Sequence, residues 1–159
     1  MLVSCGQNAE KHYNEGRSWR EQDEPIAAIK SFIAATQSLS NNYAIKGRSY
    51  SNMATMCRIC ERHDLAYAIY EKSAEEFHRA EDTTAYAYAL NNMAWELAVQ
   101  GQKEQATALA DSACKVCPSN EVQNKTIETR AAACLYNAEY DSTIYYAILF
   151  RLNRSILTS

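Results

Sequence analysis

The stretch from Leu90 to Pro118, LNNMAWELAVQGQKEQATALADSACKVCP, leaves this chain few folds to choose from. Leu90, Met93, Ala94 and Leu97 fall at i, i+3, i+4 and i+7, the spacing of one helical face, and Gly101 then interrupts the pattern. A second stripe, Ala106, Ala110 and Ala113, follows, and Pro118, which cannot continue a helix, closes it. Helix axes approach within about 8–10 Å only where the side chains between them are small. Alanines at 94, 106 and 113 therefore predict two helices packed back to back.

The same arrangement recurs along the chain. Gly16 and Trp19 precede Ala28, Phe32 and Ala35; Tyr50, Met53, Ala54 and Cys57 precede Ala66, Tyr70 and Ser73; Ile127, Ala131 and Cys134 precede Ala147 and Phe150. Pro25 suits the first turn of a second helix, Asp23 and Glu24 suit the positive end of its dipole, and Asn41-Asn42 and Tyr140-Asp141-Ser142 supply turns. With only 4 Gly and 2 Pro in 159 residues, few breakers remain for anything but helices.

These stripes resemble the tetratricopeptide repeat, whose pattern W-x2-L-G-x2-Y, A-x3-F, A, P is matched in register by Leu90, Met93, Ala94, Leu97, Ala106, Ala110, Ala113 and Pro118. The resemblance implies an all-α solenoid of antiparallel helix pairs, with four repeats and eight helices. The repeats are expected at approximately 9–40, 41–80, 82–118 and 119–155, after a leader over residues 1–8. The fourth departs most, with Arg130 where the family has Leu and Thr143 where it has Ala. Gly16, Ala54, Ala94 and Ala131 are 38, 40 and 37 residues apart, against the family's 34, so the helices are expected to be about a turn longer. Lengthened repeats of this kind look like those of bacterial sensory and regulatory proteins, which by analogy suggests a sensory or scaffolding region of a signalling system.

In such stacks the first helices line a concave groove. The resemblance places Tyr13, Arg17, Arg20, Arg48, Asn52, Thr55 and Arg58 there in the first half of the chain, and Tyr88, Asn91, Trp95, Val99 and Tyr136 in the second. One end is basic and the other aromatic, which suits a protein or peptide ligand acidic at one end and apolar at the other. The family's carboxylate clamp is matched only by Asn52. Tyr13, Arg17, Tyr88 and Asn92 stand at its other positions, which argues against chaperone tails as ligands.

A net charge of −3 with scattered Lys and Arg argues against a nucleic-acid surface. The longest apolar run, Ile144 to Phe150, is far short of the roughly 20 residues that span a bilayer. That run makes the last helix apolar nearly all round, whereas solenoids end in a polar face. A further repeat or a second copy of the chain is therefore expected against it. Leu2-Val3-Ser4-Cys5 resembles a lipobox, with Cys5 the lipidation candidate and an extracytoplasmic, membrane-anchored location implied; no basic or long apolar segment precedes it, and a chance Cys in a cytoplasmic protein is the other reading.

Two CxxC pairs, Cys57/Cys60 and Cys114/Cys117, raise metal or redox chemistry as the alternative function. The repeat register puts them at opposite ends of a helical layer, on the order of 20 Å apart, too far to share one zinc ion. Cys57, Cys60 and His63 form a sharper local set without an evident fourth ligand, and Cys57 and Cys134 fall at positions that pack between helices. His12 and His78 read as isolated surface histidines. No phosphate-binding glycine loop or nucleophile motif is present, and the acidic pairs lie on charged helical faces. The expectation is a non-enzyme without catalytic residues, metal or cofactor.

Overall fold

Each tight helix-to-helix turn is built the same way, and the first of them shows how. After α1 (Val3–Glu21), the Asp23 amide bonds the Arg20 carbonyl at 3.2 Å and the Glu24 amide bonds the Trp19 carbonyl at 2.9 Å, with Asp23 left-handed at φ 59°. This is a Schellman closure, which satisfies carbonyls that the helix end would otherwise leave open. Glu61, Glu81, Gly101 and Ala138 hold the same position at φ 57°, 56°, 76° and 58° after α3 (Tyr43–Ile59), α4 (His63–Arg79), α5 (Thr83–Val99) and α7 (Asn120–Tyr136). A β-carbon built on Gly101 would meet nothing within 4 Å, so glycine serves there for its conformation and not for space. Gly101→Ala is expected to cost about 1 kcal/mol, and Ala138→Gly to raise stability, both read by urea denaturation.

In the computed structural model the backbone is described for residues 3–38 and 41–157, and side chains for 8–38, 41–139 and 141–151. The described residues form eight α-helices and no strand. The remaining three are α2 (Pro25–Gln37), α6 (Lys103–Val116) and α8 (Tyr140–Leu157). The helices divide into two compact units, residues 1–82 and 83–159. Backbone of α1 begins at Val3, so residues 3–8 of the expected leader are helical. Cys5 lies on that helix, and its side chain is outside the described residues.

In the first unit α1 pairs with α2 and α3 with α4, and α3 also packs on both helices of the preceding pair. Small residues set the approach. A β-carbon on Gly16 would lie 2.6 Å from the Phe32 ring, and one on Gly47 would lie 2.8 Å from Phe77. Phe32 is fully buried, its ring 6.0 Å from that of Tyr13, in a cluster with Ala28 and Met53. The Gly47–Phe77 contact lies about two turns beyond the expected Ala54 and Tyr70 level. It is the physical form of the longer repeat: Ala9 and Ala87 stand at the same offset, also fully buried. The α3–α4 seam is partly polar. Ser73 Oγ donates to the Gly47 carbonyl at 2.8 Å and shares a 2.7 Å bond with Ser51 Oγ, while Tyr70 OH meets Thr55 Oγ1 at 2.9 Å. Asn42 caps α3 by accepting from the Ile45 amide.

In the second unit α5 pairs with α6 and α7 with α8, and α7 packs on both α5 and α6. Ala106, Ala110 and Ala113 are fully buried along α6, as their spacing predicts. Thr129 Oγ1 donates to Asn91 Oδ1 at 2.9 Å, Cys114 Sγ meets Thr126 Oγ1 at 3.0 Å, and the Arg130 guanidinium pairs with Asp111. These three contacts tie α7 to α5 and α6. Arg130 departs from the family's leucine because its position at this seam lets it reach a carboxylate on α6. Ser119 caps α7 through the Val122 amide, and Lys103 at the start of α6 pairs with Glu139 in the α7–α8 turn. The Glu139 carboxylate, first, holds the Lys103 ammonium above its usual range.

Candidate functional site

Each unit carries part of the expected binding surface. On the first, Arg17 and Arg20 project from exposed positions on α1, Arg17 forming an ion pair with Glu21 at 3.8 Å. Arg20 donates to Asn52 Oδ1, and Asn52 Nδ2 in turn donates to the Arg48 carbonyl at 2.8 Å, so α1 and α3 are bridged beside these guanidinium groups. Arg48 is exposed. Arg58 is half-buried, its guanidinium 5.0 Å from the centre of the Tyr70 ring, a cation–π geometry that lets a cation sit on a core residue. Tyr13 and Thr55 turn toward structure: Tyr13 packs on the Phe32 cluster, and Thr55 is bonded to Tyr70 and to the Ser51 carbonyl.

On the second unit, Trp95, Ala131, Ala132, Leu135, Tyr146, Ala147 and Phe150 line an open cleft of about 530 Å³ where α5, α7 and α8 meet. Glu128 and Thr143 are its polar lining. Trp95 thus stands at an apolar opening, the setting in which an aromatic side chain can receive a ligand. Tyr136 is 54 % exposed at the end of α7, and Val99 is half-buried at the end of α5. Asn91, expected on the groove side, is only 6 % exposed and is held by Thr129 between α5 and α7. Tyr88 is half-buried, its hydroxyl oxygen enclosed without a well-formed hydrogen bond. Burial, and then the Glu121 carboxylate beside it, push its ionisation far above the ordinary tyrosine range.

Sequence reasoning did not anticipate Glu96, which is fully buried on α5, or the enclosed side-chain oxygen of Asn124 on α7. Both sit on helices enclosed on several sides, where polar residues carry no periodic signal.

Among the described residues no group of three or more His, Cys, Asp and Glu is placed to hold a metal ion. Cys57, Cys60, Cys114, Cys117 and Cys134 are free thiols; Cys134 is buried and Cys57 half-buried, Cys60 exposed. His63 is half-buried at the start of α4. His12 is not isolated, since its Nδ1 lies 3.1 Å from Glu15 Oε2.

Helix pairs joined by Schellman turns, small residues set against buried aromatics, and a first helix that packs on the pair before it together define the repeat. Residues 46–119 match the family model described as Tetratricopeptide repeat. Residues 46–119 carry tetratricopeptide repeats. No curated protein matches the chain. Tetratricopeptide repeats mediate protein–protein interaction and are typically non-catalytic. No helix among the described residues is long and apolar enough to cross a membrane.

Proposed function

We propose that the chain is a non-catalytic binding module that takes a protein or peptide ligand on its repeat faces, as a sensory or scaffolding part of a bacterial signalling or regulatory system. The observation that carries this reading is Trp95 in the lining of an open, apolar cleft on the second unit. On the first unit the exposed Arg17, Arg20 and Arg48, with Arg58 and Asn52, suit carboxylates, because guanidinium groups pair with them in a fixed fork. Tyr88, Tyr136 and Val99 belong to the apolar contribution of the second unit; Tyr13, Thr55 and Asn91 support these faces from within. Selection of random 12-residue peptides against the full chain should enrich acidic sequences, which suit the first unit, and aromatic or aliphatic ones, which suit the second. Enrichment of basic peptides, or none above background, would overturn the reading.

The extracytoplasmic location and lipidation at Cys5 rest on the lipobox-like Leu2-Val3-Ser4-Cys5 alone. They are tested by labelling the full-length protein with a fatty-acid analogue in a bacterial host, and a Cys5→Ser variant that labels equally would end the idea.

A second contact is proposed on α8. Ile144, Tyr145 and Ile148 are 57 %, 62 % and 56 % exposed there, and in each unit the corresponding helix of the earlier pair, α2 or α6, is covered by the next helix. A further repeat or a second copy of the chain is proposed to cover α8 in the same way. If a second copy does so, Ile148→Glu converts a sedimenting dimer to monomer; a wild-type monomer at all concentrations excludes that occupant.

A further inference from the structure

The two CxxC pairs are not used by the binding reading, and one of them has chemistry of its own. Cys114 is in the last turn of α6 and Cys117 is the capping residue after it, its amide bonded to the Ala113 carbonyl at 3.1 Å. Helical geometry through that bond puts the two α-carbons about 5 Å apart, within the roughly 4.4–6.8 Å that a disulfide spans. Pro118 forces the residue before it out of the helical region, and Cys117 is extended at φ −138°, ψ 93°. Its sulfur then lies 3.7 Å from Ser119 Oγ and 3.8 Å from Thr84 Oγ1. Hydroxyl contacts from Ser119, first, and Thr84 hold this thiol below its usual range. The first turn of α7, three residues on, adds the positive end of a helix dipole. By contrast, burial pushes the Cys134 thiol up.

We infer that Cys114 and Cys117 form a thiol–disulfide exchange site whose co-reactant is a small-molecule disulfide, with Cys117 the attacking sulfur and Cys114 the closing one. The Cys117 thiolate attacks one sulfur of the small disulfide, whose S–S bond breaks, and the departing thiolate takes a proton from water. Cys114 then gives its proton to solvent and attacks Cys117 Sγ. The mixed S–S bond breaks, and the second small thiol leaves. Two cysteine thiols are oxidised by two electrons, and one disulfide is reduced to two thiols. Closing the bond withdraws Cys114 from Thr126 on α7 and Cys117 from Thr84 on α5. The site therefore couples redox state to the way α6 is fastened to its neighbours. This goes beyond peptide binding and stands or falls separately from it.

The exposed Cys60 of the other pair is the internal comparison. If access alone governs reaction, Cys60 takes the adduct first; if thiolate character governs, Cys117 does. The full chain, reduced and then incubated with oxidised glutathione, is alkylated and cut with trypsin. Cleavage after Lys115 separates the two cysteines, so a disulfide joins peptide 104–115 to peptide 116–125. The expected result is that joined pair, together with a glutathione adduct at residue 117 that forms severalfold faster than at Cys60 and accumulates in Cys114→Ser. In Cys117→Ser, the joined pair is lost and residue 114 gains adduct severalfold more slowly than residue 117 did. Absence of the joined pair in the wild type, faster reaction at Cys60, or undiminished adduct at Cys114 in Cys117→Ser each overturns the proposal. Should Cys117→Ser fail to fold, as read by circular dichroism, the wild-type map and Cys114→Ser decide it.

Discussion

Replacing Phe32 with alanine is expected to lower stability by about 3–5 kcal/mol, the range for emptying the site of a buried aromatic. Phe32 has no exposed surface, and its ring fills the space that Gly16 leaves open, with a would-be β-carbon on Gly16 only 2.6 Å from the nearest ring atom. Gly16→Ala in the wild type should therefore cost about 1–3 kcal/mol by overpacking. In the Phe32→Ala background the same change should reverse sign, because the clash is gone and alanine is favoured over glycine in a helix interior by roughly 0.5–1 kcal/mol. Urea denaturation followed by helical circular dichroism gives all four corners of this cycle. If the two substitutions simply add, Gly16 and Phe32 are not in contact, and the packing described for α1 and α2 is wrong.

Trp95→Ala is expected to weaken binding of a selected peptide by about 2 kcal/mol or more, the loss typical of a central aromatic anchor. Trp95 is half-buried and lines an open cleft, so the variant should keep its helical signal even as affinity falls by more than tenfold. Loss of folding with residual binding unchanged would mean that Trp95 serves packing between helices and that the apolar half of the proposed surface does not exist. Charge reversal is best read at Arg48. Arg58 also lies over the Tyr70 ring, so reversing it would disturb the core as well as the ligand. Arg48→Glu should slow association with an acidic peptide and flatten its salt dependence while leaving the peptide's dissociation rate nearly unchanged.

Much of the architecture is carried by local pattern. The stripes Ala28-Phe32-Ala35, Ala66-Tyr70-Ser73 and Ala106-Ala110-Ala113 are all buried, because a helix of regular period must bring such residues to one side whatever its neighbours are. The longer repeat was likewise legible in the spacing from Gly16 to Ala54 to Ala94, although its cause, a further layer in which Phe77 rests on Gly47, was not. Four turns were anticipated only approximately, since Asp23, Glu61, Glu81 and Ala138 take the left-handed position without the glycine that usually announces it. There the backbone bonds that close the helix outweigh a modest steric cost, and no residue type records the outcome.

The binding surface was less legible than the stripes. Period tells which residues share a face, but a helix such as α5 is enclosed on more than one side, by α6 and by α7, and its buried set includes Asn91 and Glu96 beside the alanines. A polar residue on such a helix reads as solvent-facing until its partner arrives from distant sequence. Thr129 comes to Asn91 across 38 residues and Asp111 to Arg130 across 19, and Asn52 lies 32 residues from Arg20. The sequence by itself determined that the chain forms paired helices with alanine and glycine at their contacts, because period and side-chain size are local properties. Only the tertiary structure decided that Thr55 and Asn91 are spent within seams while Trp95 opens onto a cleft, because a side chain's direction relative to a neighbouring helix depends on where that neighbour packs.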